Sequence, residues 1–180
     1  MRRVLSIAAL SILALSASAS AQRSSATMAN PSPEIGMDAG ISFGLGTPST
    51  TVISIPVQQI RMGFFVSPAL SIEPSLGLTS FSGGGTFTLY NIGAGVLYHF
   101  SPRRAANQFY VRPFLNVVGA SGGGTSNSTT IFGIGGGLKV PFRDRIASRF
   151  EANFAHQGAQ GGTPAENAIG LLAGLSFYTR

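Results

Sequence analysis

Charged and polar side chains alternate with phenylalanine in the stretch "RFEANFAHQ". Arg149, Glu151 and Asn153 occupy every second position, and Phe150 and Phe154 stand between them. A period of two places the two sets on opposite faces of a β-strand. Guanidinium and carboxylate groups that share one face can form ion pairs or line a path for ions. The stretch therefore predicts a strand with one apolar face and one charged face.

Residues that could support catalysis are few. His99 and Ser101 in "HFS" are the one close histidine–serine pair, and His156 in "HQG" has no adjacent serine. Two histidines on different segments, without clustered carboxylates, make a poor metal site. The glycine runs are not followed by the Lys-Ser/Thr of a phosphate loop, and the absence of cysteine excludes disulfides and thiolate chemistry. The sequence predicts neither a metal nor any other cofactor.

Eight segments of alternating character position these residues. Most are about ten residues long, which exceeds the usual strand length of roughly 5–6 and matches the roughly 9–11 residues that cross a bilayer at a tilt. The segments cover residues 35–45, 57–66, 70–81, 87–100, 109–120, 130–140, 149–157 and 167–178.

The polar face of these segments separates a membrane barrel from a soluble β-sandwich, which shows the same alternation. Glycine dominates that face, whereas a solvated sheet surface gains nothing from glycine, which weakens strands. An eight-stranded barrel is narrow and filled by side chains, and glycine leaves room for long Arg and Glu side chains. We therefore predict an all-β fold, an eight-stranded antiparallel up-and-down transmembrane β-barrel, over residues 34–180.

The connections between the segments differ in composition at the two ends of the predicted barrel. The first, third, fifth and seventh are rich in Gly, Ser and Thr, as in "GTPSTTVIS" and "SGGGTSNS". The others contain Pro and Arg, as in "SPRRAANQ" and "PFRDR". Because an exported chain starts on the periplasmic side, the first group is expected to face outward and the second the periplasm.

Charged side chains are predicted to fill the lumen, mainly in its periplasmic half, with Arg61 nearer the middle. An unpaired buried charge is costly, so we expect three carboxylates and four cations to pair and plug the barrel. In particular, Arg112 and Arg149 should each lie within hydrogen-bonding distance of one of the carboxylates. The predicted network consists of Asp38, Arg61, Glu73, Arg112, Lys139, Arg149 and Glu151.

Aromatic residues on the apolar face collect near the ends of the segments. Such clustering suits two girdles at the membrane interfaces, whereas ordinary β-propensity explains single aromatics but not their grouping. The predicted lipid-interface aromatics are Phe43, Tyr90, Phe100, Phe109, Phe132, Phe142, Phe154, Phe177 and Tyr178.

Residues 1–21 have the features of a cleavable signal peptide: Arg2 and Arg3, an apolar run, and small residues ending at Ala21. The apolar run is shorter than the roughly 20 residues of a spanning helix. Residues 22–33 are polar and are predicted to form a disordered periplasmic lead. Removing the signal lowers the net charge from +6 to +4, without a Lys/Arg cluster, so no nucleic-acid partner is expected.

The chain resembles the family of small OmpA-like outer-membrane β-barrel domains, over the signal peptide and all eight segments. The ending "GLLAGLSFYTR" is similar to the amphipathic last strand that such proteins present to their insertion machinery, although Thr179 and Arg180 follow the aromatic pair. No peptidoglycan-binding domain is expected after the barrel. The resemblance implies an outer-membrane location, with membrane lipids and the insertion machinery as partners.

Three functions fit this architecture, since one fold can host several. We favour a structural, non-enzymatic component with a plugged lumen and short surface loops, which contributes to envelope integrity. The alternative is a narrow pore, or a barrel that binds or transports a small or lipophilic ligand. A lipid-modifying enzyme is the weakest reading, because His99 and Ser101 fall at the periplasmic rim. The ligand or surface partner is left open.

Overall fold

The computed structural model describes residues 33–46, 49, 51–54, 59–82, 85–101, 107–159 and 164–179. The predicted signal peptide and residues 22–32 of the predicted lead lie outside this part of the chain. The described residues contain one antiparallel sheet. Its strands are β1 Glu34–Gly44, β2 Thr51–Ser54, β3 Ile60–Phe65, β4 Leu70–Ser82, β5 Thr86–His99, β6 Gln108–Gly122, β7 Thr125–Arg143, β8 Ile146–Gln157 and β9 Glu166–Tyr178.

The sheet closes on itself. From β3 to β9 each strand pairs with the next along the chain. β1 then pairs with β9 over its whole length, from Glu34 opposite Tyr178 to Gly44 opposite Ala168. β2 pairs with the C-terminal part of β1 and β3 with its N-terminal part, so together they occupy one position in the barrel. The result is the closed, antiparallel, eight-strand barrel that the alternation predicts.

The second barrel position differs from its prediction. A single segment was expected at 57–66, after an outer loop "GTPSTTVIS", but the last four residues of that loop form β2. The sequence of β2 is "TVIS", which is rich in the β-branched residues that favour strands. Pairing with the C-terminal part of β1 also gives its backbone groups hydrogen-bond partners. Residues 55–58, between β2 and β3, lie outside the described residues.

Two of the hairpin connections, β6–β7 and β7–β8, are shorter than predicted. β6 and β7 are joined by Gly123 and Gly124, whose φ angles of 60° and 81° fit a two-residue turn of type I′. Most of the predicted loop "SGGGTSNS" is therefore strand. At the other end, Asp144 and Arg145 connect β7 to β8. We call the end with residues 144–145 and the start of β1 the lower end, and the opposite end the upper end.

Burial in this barrel is the reverse of that in a soluble protein. Among the described residues, twelve polar or charged side chains are buried, compared with four hydrophobic ones. In β4, for example, Ser71 and Glu73 are buried, whereas Ile72 is 43% and Leu76 is 56% exposed. The strands therefore turn their apolar faces outward and their polar faces into the lumen.

Candidate functional site

All seven charged residues predicted for the lumen lie on the inner face of the barrel. Each is at most 8% exposed, and each takes part in an ion pair. Arg61 differs from its predicted height. It lies opposite Gly36, two residues from the start of β1, so it belongs to the lower half with the others.

Glu34 is an eighth member that the sequence analysis missed. Its side chain is 1% exposed and accepts hydrogen bonds from Lys139 Nζ at 2.5 Å and from Ser176 Oγ at 2.6 Å. β1 and β7 are not neighbours, so the bond to Lys139 crosses the lumen. Its spacing in the sequence could have identified Glu34 as a lumen residue, because it stands four residues before Asp38 and therefore on the same strand face. It lies one position before the predicted start of the first segment.

Arg61 joins three carboxylates in the lower lumen. Its Nε and Nη2 atoms donate to the two oxygens of Asp38, at 2.5 and 2.9 Å. Its Nη1 atom lies 2.9 Å from Glu73 Oε2 and 3.5 Å from Glu34 Oε1. A planar guanidinium suits this role, because it can bind one carboxylate through two parallel bonds and still reach others.

Arg149 spans the full width of the barrel. It projects from β8, and its Nη1 atom lies 2.6 Å from Glu73 Oε2 on β4. With β2 and β3 counted as one position, β4 and β8 stand four positions apart in a barrel of eight, on opposite sides. The other end of the guanidinium lies 2.6 Å from Glu151 Oε2. Side chains from opposite walls therefore meet within the lumen.

Tyr110 and Arg112 complete the network on the β6 side. The Tyr110 hydroxyl accepts a hydrogen bond from Arg149 Nε at 2.7 Å and donates to Glu151 Oε2 at 2.9 Å. Arg112 Nη2 lies 2.5 Å from Glu151 Oε1. The Arg149 guanidinium also lies 4.9 Å from the centre of the Tyr110 ring, within the range of a cation–π contact. Tyr110 was not predicted as a site residue.

These pairs form one continuous chain of alternating charge. Four acidic and four basic side chains of the described lumen are joined by seven salt bridges, on six strands. The formal charges cancel, whereas the predicted set without Glu34 carried an excess of one positive charge. Balance matters because charges removed from water are stable only when they are paired and hydrogen-bonded. In order along the chain of contacts, with Asp38 branching from Arg61, the ions are Lys139, Glu34, Arg61, Glu73, Arg149, Glu151 and Arg112.

Glycines on neighbouring strands make room for several of the long side chains of the network. A Cβ atom on Gly36 would lie about 2.5 Å from the Arg61 guanidinium carbon, and one on Gly135 would lie 2.6 Å from Glu151 Oε1. Real Cβ atoms essentially never come so close to other atoms. The glycine-rich inner face is therefore the surface on which the ion network rests.

Comparison with known proteins places this barrel in a family. The sequence model described as "Outer membrane protein beta-barrel domain" matches residues 7–177. The chain belongs to this family. It is an integral outer-membrane β-barrel, and the resemblance predicted from its last strand and segment pattern is confirmed. A comparison with curated proteins found no match.

Solved structures share the fold at low identity. Neisserial surface protein A (NspA) is 17% identical, with 82% of this chain and 97% of that chain covered and a TM-score of 0.55. OprG from Pseudomonas aeruginosa is 6% identical, with 86% and 99% covered and a TM-score of 0.53. The outer membrane enzyme PagL is 14% identical over 79% of this chain and 99% of that chain, with a TM-score of 0.47. That last similarity is too weak to bear on activity.

The outer surface of such a barrel faces lipid. Most of the predicted interface aromatics lie on this surface near the strand ends, for example Phe100 and Phe109 at the lower end and Phe154 at the upper end. Tyr178 does not: its prediction was wrong, since the side chain is 9% exposed and points into the lumen. Phe177 faces outward, and the strand alternation forces its neighbour inward.

The predicted lipid-facing aromatics lie on the outer face in every case but Tyr178. These aromatic rings contact different residues. The Phe132 ring lies 5.0 Å from the His156 ring, and the Tyr90 ring covers Gly119 on the adjacent strand. The remaining members of the set are Phe43 and Phe142.

The surroundings of His99 differ from those expected from the sequence. The ring of His99 pairs with Ser71 rather than Ser101, at 3.1 Å between Nε2 and Oγ. Both residues are at most 3% exposed, inside the lower lumen. At the upper end, His156 Nδ1 lies 2.8 Å from Asn167 Oδ1 on the outer face. Within the described residues there is no cluster of three potential metal ligands and no helix long and apolar enough to span a membrane.

Replacing Glu34 with glutamine should destabilise the barrel. Glutamine keeps the shape but leaves Lys139 buried without its carboxylate, so we expect the free energy of unfolding to fall by about 3–5 kcal/mol. Urea titration of the protein in lipid vesicles, followed by heat-modifiable migration on gels, measures this change. Asp144→Asn, at an exposed turn, is the control and should change little; equal effects of the two variants would contradict a structural role for Glu34.

Single-cysteine variants test which way the last strand faces. The natural sequence has no cysteine, so each introduced thiol is the only reactive one. In vesicles, Phe177→Cys should react readily with a lipid-soluble maleimide, whereas Tyr178→Cys and Ser176→Cys should react at least about tenfold more slowly, because their side chains lie in the lumen. Equal labelling of residues 177 and 178 would rule out the alternation.

Proposed function

We propose that this protein is a structural component of the outer membrane, with a closed lumen, that contributes to envelope integrity. The observation that carries this proposal is the contact between Arg149 and Glu73, which joins opposite walls of the barrel. A lumen filled by paired charges is expected to resist both ions and solutes. It also ties the strands to one another through bonds that add to the backbone ladder.

The same network supports a mechanical role. Each ion of the network has at least one buried partner on another strand, and Glu34, Glu73 and Glu151 each hold two cations. Loss of one strand pairing would leave several charges unpaired in a low-dielectric environment, which is unfavourable by several kcal/mol. The closed barrel is thereby favoured over partly opened forms.

We further propose that the protein is not an enzyme. A lipid hydrolase needs a nucleophile and a base that a lipid can reach, with a third group that orients the base. His99 and Ser71 are within hydrogen-bonding distance but are buried inside the lumen. His156 faces outward next to Asn167, and among the described residues no serine hydroxyl bonds to it. These arrangements support anchoring and packing roles.

A narrow, gated pore is the alternative function. Arg149 bonds to Glu73 and Glu151 at the same time, at 2.6 Å each. If it exchanged one carboxylate for another, the network would rearrange without the loss of all pairing, and a path for ions could open. This second candidate differs from the first in a measurable property, the conductance of single barrels.

The partners that follow from the proposal are lipids and the assembly machinery. The outward apolar face contacts membrane lipids along each strand. The last strand, β9, alternates outward Leu171, Leu175 and Phe177 with inward Gly174 and Ser176. We propose that this amphipathic strand is the segment that the barrel-insertion machinery recognises.

Conductance in planar bilayers distinguishes the two functions. The wild-type protein is expected to give no stepwise currents, whereas the double variant Glu73→Ala/Arg149→Ala, which removes the bridging pair and keeps the charge balance, should conduct. Asp144→Asn/Arg145→Gln removes an opposite-charge pair outside the lumen and should stay silent. Regular single-channel steps from the wild type would favour the gated pore.

Envelope integrity is tested in cells. Without the protein, cells should take up a hydrophobic dye such as N-phenylnaphthylamine faster, because a structural barrel supports the permeability barrier. Expression of the wild type or of Asp144→Asn/Arg145→Gln should restore slow uptake. Unchanged dye uptake in cells without the protein would argue against the structural role.

A further inference from the structure

The lipid-facing surface of the barrel contains a concavity, which we call the outer groove. It has a volume of about 630 Å³ and crosses the central parts of β1, β9, β8 and β7, with Phe109 of β6 at one end. Its residues are distinct from the ion network except for Glu151. The carboxylate of Glu151 is turned into the lumen, where it binds Arg149 at 2.6 Å.

Small outward residues create the outer groove. Ala39 lies opposite Ala173, and Ala152 lies opposite Gly136. The pairs β1–β9 and β7–β8 therefore each have a position where both outward side chains are small. Larger side chains on neighbouring positions form the walls, and their register places them directly beside the small ones. The walls consist of Ile41, Phe109, Leu138, Phe150 and Leu171.

Gly136 lies on the outer face, and the space around it differs from the space around most glycines of the inner face. A Cβ added to it meets no atom within 4 Å, and its φ angle is not positive. By contrast, a Cβ on its inward neighbour Gly135 would lie 2.6 Å from a Glu151 oxygen. Neither backbone strain nor packing of this chain accounts for glycine at position 136, so its small size leaves space for something outside the chain.

The location of the outer groove determines the chemistry of its occupant. The family places the barrel in the outer membrane, and the groove lies at mid-height on the outer face, so hydrocarbon surrounds it. Its walls offer apolar side chains and no charged or hydrogen-bonding side chain. An occupant with a polar group would lose hydrogen bonds there, whereas a hydrocarbon chain loses none.

A second copy of the barrel fits this surface poorly. A two-fold symmetric contact brings the same patch of both subunits together. Two concave patches placed face to face leave a void between them, and the lining would lose contacts. A flexible chain, in contrast, can follow the floor of the groove and touch both walls.

Selective retention of a chain follows from packing. Lipid tails are as apolar as leucine, so within the bilayer the hydrophobic effect gives no preference for the groove, and van der Waals contact provides it. A chain on a convex barrel wall touches protein on one side, whereas a chain in the outer groove touches the floor and both walls. Many weak contacts of about 0.1–0.2 kcal/mol each then add up.

We propose that the outer groove is a binding site for one acyl chain of a membrane phospholipid. The lipid held there exchanges more slowly than lipids on the rest of the barrel surface. The proposal does not depend on whether the lumen conducts.

Native mass spectrometry tests the site with protein extracted from phosphatidylethanolamine/phosphatidylglycerol vesicles and washed extensively in detergent. The wild type should retain one phospholipid per barrel. Ala152→Phe and Gly136→Leu fill the groove and should lower the retained fraction at least about tenfold. Ala94→Phe makes the same kind of change on the outer face of β5, away from the groove, and should retain the lipid.

Heat-modifiable migration must first show that each variant is folded; Gly136→Leu is expected to fold because its added Cβ meets no neighbour. Equal retention in all four proteins, or no retained phospholipid in the wild type, would overturn the proposal. It would also be overturned if the wild type were a dimer that Ala152→Phe dissociates, because the groove would then be a protein interface.

Discussion

The ion pairs that cross the lumen are the interaction on which this structure depends. Eight ionised side chains lie out of water in a tube, and each is stable there only because oppositely charged groups surround it. Arg149 and Glu73 meet from opposite walls, and Lys139 and Glu34 meet from non-adjacent strands. The network therefore requires the complete closed barrel. In an open sheet, these partners would be too far apart to bond.

The composition of the inner face follows from this requirement. Long side chains can extend across a narrow barrel only where the residue on the adjacent strand leaves space for them, and glycine, which has no side chain, leaves the most space. Tyr110 lies over Gly137, and Asp38 lies against Gly174 on the adjacent strand. Glycine normally weakens strands. Here closure of the sheet, in which β1 pairs with β9 along its whole length, offsets that loss and lets the inner face serve the packing of charges.

The outer face follows from the membrane. Lipid requires that backbone groups are satisfied within the protein and that the surface is apolar. Over most of the barrel the described strands pair side by side and turn apolar side chains outward. The apolar side chains of the outer face differ in size, which gives the surface its shape. Bulky residues form the walls of the outer groove, and Ala39, Ala152 and Ala173 form its floor. The two faces are thus specialised separately, one for pairing charges and the other for packing against hydrocarbon chains.

The sequence alone determined the fold class, because a period of two assigns each residue to a face and glycine on the polar face identifies a narrow lumen. It also placed seven of the eight network ions inside. Tertiary structure decided the partners: Lys139 bonds a residue 105 positions away and Arg149 one that is 76 away. Alternation fixes the face but not the register. The height of Arg61 and the pairing of His99 with Ser71 therefore depended on the alignment of neighbouring strands, and the contact of Glu34 with Lys139 depended on closure. Closure sets all registers together, which no single segment of sequence can do.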